Sequence, residues 1–255
     1  MRQTHTENTS AMPSLQRYQV RFASGTNEIR AAQKLRYQIF AHEYGASLQT
    51  QEPGLDIDFY DAYCEHLIVW DIQQSSIVGT YRMLSPQAAQ NIGSYYSENE
   101  FNFAALQHIR PLIVEVGRSC VAAKHRTGSV IALLWKKLVE YTLSNGYEYL
   151  IGCGSIPMQD GGHNAANLYR RLSKEHLAPP EYRVIPYTTL PYEKLSNDQP
   201  VVVPPLIKGY LRAGAWICGE PAWDKDFNTA DLMIMMPMSK VTKRYHRRFL
   251  NTKNN

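Results

Sequence analysis

The sequence predicts an α/β protein with one mixed central sheet and helices on both faces. Three observations carry that expectation. Tyr18, Val20 and Phe22 alternate with Arg17, Gln19 and Arg21, the period of a strand with one buried side. Val130, Ile131, Leu133, Leu134, Leu138 and Tyr141 recur instead at helical spacing and stop at Gly146. Around them the elements follow as strand, helix, loop, three strands, helix, strand, helix, strand and a mixed tail.

Taken in order, Thr26 can cap a helix whose apolar stripe is Ile29, Ala32, Leu35, Ile39 and Phe40, with Gly45 as its stop. Pro53-Gly54 opens an acidic loop. Strands are expected at His66–Ile72 and Ile77–Leu84, close enough for a hairpin around Gln73–Ser76, and at Leu112–Val121. After the amphipathic helix come a strand at Tyr147–Ile156, a helix near Asn164–Lys174 and a strand at Glu181–Tyr187. A helix starts at Pro204-Pro205, and the run Leu232–Met236 is a last buried strand. No linker splits the chain, so residues 15–250 are expected to form one domain behind a flexible polar tail, 1–14.

Composition narrows the function classes. The 255 residues are 44% hydrophobic, 20% charged and 11% aromatic, which excludes a mainly disordered chain, a collagen-like fibre and a coiled coil. No apolar run reaches the roughly 18 residues of a membrane-spanning helix, and residues 1–14 lack the apolar core of a secretory signal. Cys64, Cys120, Cys153 and Cys218 are too widely spaced for a zinc knuckle or redox pair, and read as reduced thiols of a cytoplasmic protein. The net charge of +4 is unevenly spread. Gln51–Asp61 carries Glu52, Asp56, Asp58 and Asp61 without a Lys or Arg, whereas Lys240–Asn255 carries six basic residues and no acid. The first suits a cation; the second suits an acidic partner or the anionic inner face of the cytoplasmic membrane, and either can equally be solvated surface. No nucleic-acid partner is expected.

The chemistry is expected in Leu112-Ile-Val-Glu-Val-Gly-Arg-Ser-Cys-Val121, where Glu115 and Arg118 interrupt an apolar strand. Residues three apart in a regular strand face opposite ways. A bulge at Gly117 would turn both to one side and free a backbone N–H for an oxyanion; a cross-strand ion pair is the bland alternative. Asp56, Asp58 and Asp61 lack the Gly and distal Glu of a calcium loop, so no metal is expected, and an amine substrate suits them better. The turn His125-Arg-Thr-Gly-Ser129, leading into a helix, offers free N–H groups to a phosphate.

Together these features resemble the GNAT acyltransferase fold. Arg36, Phe40, Asp56, Asp58, Asp61, Gly79-Thr-Tyr-Arg82, Phe101 and Glu115-Val-Gly-Arg118 follow the acyl-homoserine-lactone synthases, whose acidic box begins with Glu where this chain has Asp56. A closer resemblance, over about residues 30–250, is to the L-ornithine Nα-acyltransferases of ornithine lipid synthesis. It rests on Asp61-Ala-Tyr-Cys-Glu-His66, Val114–Val121, Leu150-Ile-Gly-Cys-Gly-Ser155, Asp224–Asp231 and above all Pro204-Pro-Leu-Ile-Lys-Gly-Tyr-Leu-Arg212. Residues 200–250 would then be a family-specific segment.

The resemblance implies transfer of a 3-hydroxyacyl chain from the phosphopantetheine thioester of acyl carrier protein to the α-amine of ornithine, giving lyso-ornithine lipid, with no permanently bound cofactor. It implies Glu115 as general base or first link of a relay, with Arg118 beside it. Arg36, Asp56, Asp58, Asp61, Arg82 and Phe101 would form the amino-acid pocket. There the arginines would face the α-carboxylate and the aspartates the δ-ammonium or one another, unless Arg82 holds the acidic loop by ion pairs. Ser119, Cys120 and Val121 would supply oxyanion donors, while Arg126 and Gly128 would hold the pantetheine arm. Lys136, Lys137, Arg170, Arg171 and Lys174 are candidates for the acidic carrier protein. His66 and His163 read as structural, and Cys153 is not expected to form an acyl-enzyme. The rival readings are an S-adenosylmethionine-dependent lactone synthase, acylation of another amino acid, and a non-catalytic acyl-binding or membrane-active protein.

Overall fold

The computed structural model describes residues 17–50 and 52–245, with side chains through Val241. The tail 1–14 and residues 246–255 of the basic stretch lie outside the described residues. Among the described residues ten strands form: β1 (Tyr18–Phe22), β2 (Glu65–Asp71), β3 (Ser76–Leu84), β4 (Phe101–Asn102), β5 (Ile113–Val121), β6 (Tyr149–Pro157), β7 (Ile185–Pro186), β8 (Trp216–Ile217), β9 (Ala222–Asp224) and β10 (Thr229–Pro237). The α-helices are α1 (Thr26–Tyr37), α2 (Pro86–Ile92), α3 (Ser129–Ser144), α4 (His163–His176), α5 (Tyr192–Leu195), α6 (Pro205–Ala213) and α7 (Met238–Tyr245). None is long and apolar enough to cross a membrane.

The main sheet runs β1-β2-β3-β5-β6-β10-β8, with β9 also on β10. All neighbours are antiparallel except β5 and β6, so the sheet is mixed as expected. That parallel pair is short: it joins Ile113, Val114 and Glu115 to Tyr149, Leu150 and Ile151 and ends there, although both strands run on. Gly152 marks the point of parting, since a Cβ on it would run into the Val116 carbonyl oxygen. Only glycine allows so close a backbone approach. β10 covers the other edge of β6 in unbroken register from Tyr149 to Pro157.

Alternation along each strand divides the core. One face packs Val114, Leu150 and Leu232 against Val130, Leu134 and Leu138 of α3, Leu168 of α4 and Ile207 of α6. The other buries Ile113, Ile151, Met233 and Met235 with Tyr95, Phe101 and Leu106. α1 lies over that second face through Leu35, which packs with Ile39 and Cys120. The strand expected at 181–187 is instead a short helical turn and the two residues of β7, which pair with β4 away from the main sheet.

Candidate active site on the splayed face of the sheet

The bulge expected at Gly117 forms one residue later. Arg82 pairs with Gly117 and Thr80 with Cys120, so Arg118 and Ser119 together oppose Tyr81. Gly117 is not left-handed; Arg118 is, with φ +51°. This extra residue turns Arg118 to the face that carries Glu115. Both reach Tyr96: its backbone N–H donates to Glu115 at 2.6 Å, and the Arg118 guanidinium lies 5.1 Å from its ring centroid.

Around Arg118 three arginines meet three aspartates. Fully buried Arg36 pairs with Asp56 and Asp61, each at 2.7 Å. Arg82 pairs with Asp58 at 2.6 Å and Asp61 at 3.1 Å. Arg118 pairs with Asp58 at 3.1 Å and Asp56 at 3.3 Å, and packs against the Phe227 ring. Burial opposes ionisation of Asp61, yet the fields of Arg36 and Arg82 hold its carboxyl well below the usual range. Of the arrangements expected for this group, the structure shows the arginines paired with the aspartates rather than turned outward. Their charges are spent on each other, and Arg82 does hold the acidic loop. Asp58 adds a capping box to that loop, accepting from Tyr60 N–H and Asp61 N–H while Asp61 accepts from Asp58 N–H.

Glu115 is 4% exposed and accepts from Tyr96 N–H, Ser97 N–H and the Ser97 hydroxyl. Burial raises its pKa, against these donors. Beyond Ser97 the polar groups continue: its hydroxyl lies 3.4 Å from Cys153 Sγ, which lies 3.8 Å from Glu100 Oε1. Cys153 also lines a small cavity at the β5–β6 parting with Val116, Leu150, Gly152 and Tyr210. Glu100, Cys153 and Asp231 bring their polar atoms within 4.8 Å of one another. Burial, then neighbouring Asp231, pushes Glu100 up to about 9. Burial, then Asp224, pushes Asp231 up to about 6.

Residues 35–136 match the acetyltransferase (GNAT) domain family. The chain is 36% identical over 246 residues to the L-ornithine Nα-acyltransferase of Rhizobium meliloti (strain 1021), covering 89% of this chain and 82% of that protein. The chain belongs to the L-ornithine Nα-acyltransferase family. The protein of the same name from Rhodobacter capsulatus is 33% identical, over 91% of this chain and 94% of that one. Among solved structures, FeeM, an N-acyl amino acid synthase from uncultured soil microbes, aligns with a TM-score of 0.53 at 12% identity, over 94% of this chain and 99% of that chain. BjaI, a CoA-dependent acyl-homoserine lactone synthase, aligns with a TM-score of 0.52 at 16% identity, over 87% and 82%. The fold is thus that of the GNAT acyltransferases.

Against this family background the remaining expected site residues scatter. Phe101 is fully buried in the second core, in one cluster with Tyr95 and Leu106. Ser119 turns to the opposite face, where it bonds Tyr81. Cys120 is buried beneath Leu35 and Ile39, and burial pushes its thiol up to about 12. Cys120 and Val121 pair with Thr80 and Gly79 on the β3 side, leaving the other side of the strand toward the parting from β6. Arg126 is tied to Glu43 and to the Val121 carbonyl, and Gly128, at φ +93°, starts α3. His66 and His163 bond the carbonyls of Asp61 and Leu195, as structural histidines do. Lys136 and Lys137 share exposed Glu140, and Arg170 bonds Ser196. Sequence reasoning missed Tyr96, Ser97, Glu100 and Asp231. The Tyr95–Glu100 run is polar and aperiodic, and its one local signal is the spacing of Tyr95 and Glu98, which close a turn.

Proposed function

We propose that the protein transfers a 3-hydroxyacyl chain from an acyl-carrier-protein thioester to the α-amine of ornithine, giving lyso-ornithine lipid. The observation that carries this reading is 36% identity to the R. meliloti enzyme across 89% of the chain. The parted strands support it: β5 and β6 stop pairing after Glu115 and Ile151, and a small cavity lies at the parting, where a thioester arm would have to enter. The α-ammonium must first lose a proton, since its lone pair is otherwise occupied. Ser97 donates its hydroxyl proton to Glu115, so a proton arriving from the amine at Ser97 Oγ can be passed on as Ser97 releases its own. The amine then attacks the carbonyl: the C–N bond forms, the C–S bond breaks, and the thiolate leaves to be protonated. N–H groups of Ser119 and Val121, on the side parted from β6, would be the donors for the tetrahedral oxyanion, whereas the Cys120 N–H turns toward β3. The turn at Arg126 and Gly128 would receive the pantetheine phosphate. Lys136, Lys137, Arg170, Arg171 and Lys174 would meet the carrier protein. The basic stretch from Lys240 would rest on an anionic bilayer at the inner face of the cytoplasmic membrane.

Purified protein incubated with a 3-hydroxyacyl carrier thioester and either ornithine or S-adenosylmethionine tests this directly. Mass analysis should find ornithine acylated on its α-nitrogen. An acyl-homoserine lactone, or thioester left intact with ornithine present, would overturn it.

A further inference from the structure

Charge balance singles out one part of this face. Asp56, Asp58 and Asp61 are matched by Arg36, Arg82 and Arg118, and Glu115 by N–H and O–H donors. Glu100 and Asp231 have no cation within ion-pair distance among the described residues. Glu100 Oε2 is enclosed by protein and has no hydrogen-bond partner there. Asp231, 3% exposed, accepts from the Thr229 hydroxyl at 2.9 Å. Both face Cys153, which stands on β6 two residues beyond Ile151, its last pairing with β5. Two carboxylates so close, with no cation in ion-pair contact and only the more distant Arg118 favouring ionisation of Asp231, are costly to ionise. Their raised proton affinity is what such a site shows while empty of a cation.

We propose that Glu100 and Asp231 together seat the side-chain ammonium of the amino-acid acceptor. The inference rests on the ornithine reading and names the part of the site that selects ornithine. An ammonium carries three donors. It would satisfy Glu100 Oε2, bridge to Asp231 and let both carboxylates ionise. The three methylenes of ornithine would then separate this seat from the α-amine at Ser97 and Glu115, which touch the seat through Cys153. The Asp56–Asp58–Asp61 group is a poorer seat, because its charge is already neutralised. The same three groups could also ligate a metal ion, the alternative that the chelator arm of the test distinguishes.

The test uses Glu100→Gln and Asp231→Asn, both nearly isosteric. Steady-state rates are measured with acyl carrier thioester and either ornithine or norvaline, which has the same carbon chain without the δ-nitrogen. Each variant should lower the ornithine-to-norvaline ratio of kcat/KM by roughly ten- to a hundredfold, mainly through KM for ornithine. A preference for ornithine undiminished in both variants would overturn the seat alone. Equal use of the two amino acids by the unaltered protein would overturn the seat and the ornithine reading together. Calorimetry on the unaltered protein decides the matter if neither variant folds: ornithine should bind at least tenfold more tightly than norvaline, and equal affinity would refute the seat. Turnover should survive EDTA; loss restored by zinc alone would assign the seat to a metal and overturn the proposal.

Discussion

Arg118 sits at φ +51° inside a strand, a region where a side chain on Cβ costs about 1 kcal/mol or more. Ion pairs to Asp56 and Asp58, and the rings of Tyr96 and Phe227, hold it there. The two contributions separate in a pair of variants. Arg118→Ala keeps the strain and loses the contacts, whereas Arg118→Gly loses both. The glycine variant should therefore be the more stable of the two by roughly 1 kcal/mol in urea unfolding; an alanine variant as stable as glycine would mean that the strand relaxes without its arginine. In the sequence, Gly117 between Glu115 and Arg118 was a readable sign of a bulge. Which residue takes the left-handed turn was not, because that depends on what waits to receive the side chain. The same holds for the acidic box. Three aspartates and their arginines were visible, but their mutual neutralisation follows from α1 lying across the loop, a contact of side chains 20 and 25 residues apart.

At the scale of elements, the strands that build the main sheet were legible because burial on one or both sides writes a period or an apolar run into the sequence. β5, β6 and β10 fall close to the expected places, with β10 longer than its apolar centre because Thr229–Asp231 pair on to β6 and β9. α2 was missed although Ser85 caps it by accepting from Ala88 N–H and Pro86 opens it, a start signal with no apolar stripe behind it. The turn from Tyr95 to Glu100 carries no period. It is fixed by long-range partners, Glu115 for Tyr96 and Ser97, Ile113 for Tyr95 and Arg110 for Glu98, and so places Ser97 and Glu100 at the site without any local announcement. Asp231 closed the Asp224–Asp231 segment on which the sequence resemblance rested, but its meeting with Glu100 joins residues far apart in the chain.

Across the whole molecule, paired and unpaired carboxylates act on stability in opposite pH windows. Asp61 and Glu28 have lowered proton affinity when folded, so their contribution is present above the unfolded values and fades as acid protonates them. Glu100 behaves in the other sense. Folded, it keeps its proton to about pH 9, whereas unfolded it would lose it near 4.5. Between those values the folded chain binds more protons, so ligand-free stability falls as pH rises, by at most about 1.4 kcal/mol per pH unit. Asp231 adds to this between 3.8 and about 6. Melting temperatures from pH 5 to 9 should therefore decline, and Glu100→Gln should flatten the decline; a variant with the parent's slope would place the pH dependence elsewhere. On the proposed reading, acyl transfer takes place where β5 turns an acid and a guanidinium to the same side of the sheet, beside its parting from β6. Thioester turnover by folded Glu115→Gln and Arg118→Ala tests this most directly. Loss of at least a hundredfold in both is the predicted result, and turnover near the parent's rate in both would contradict it.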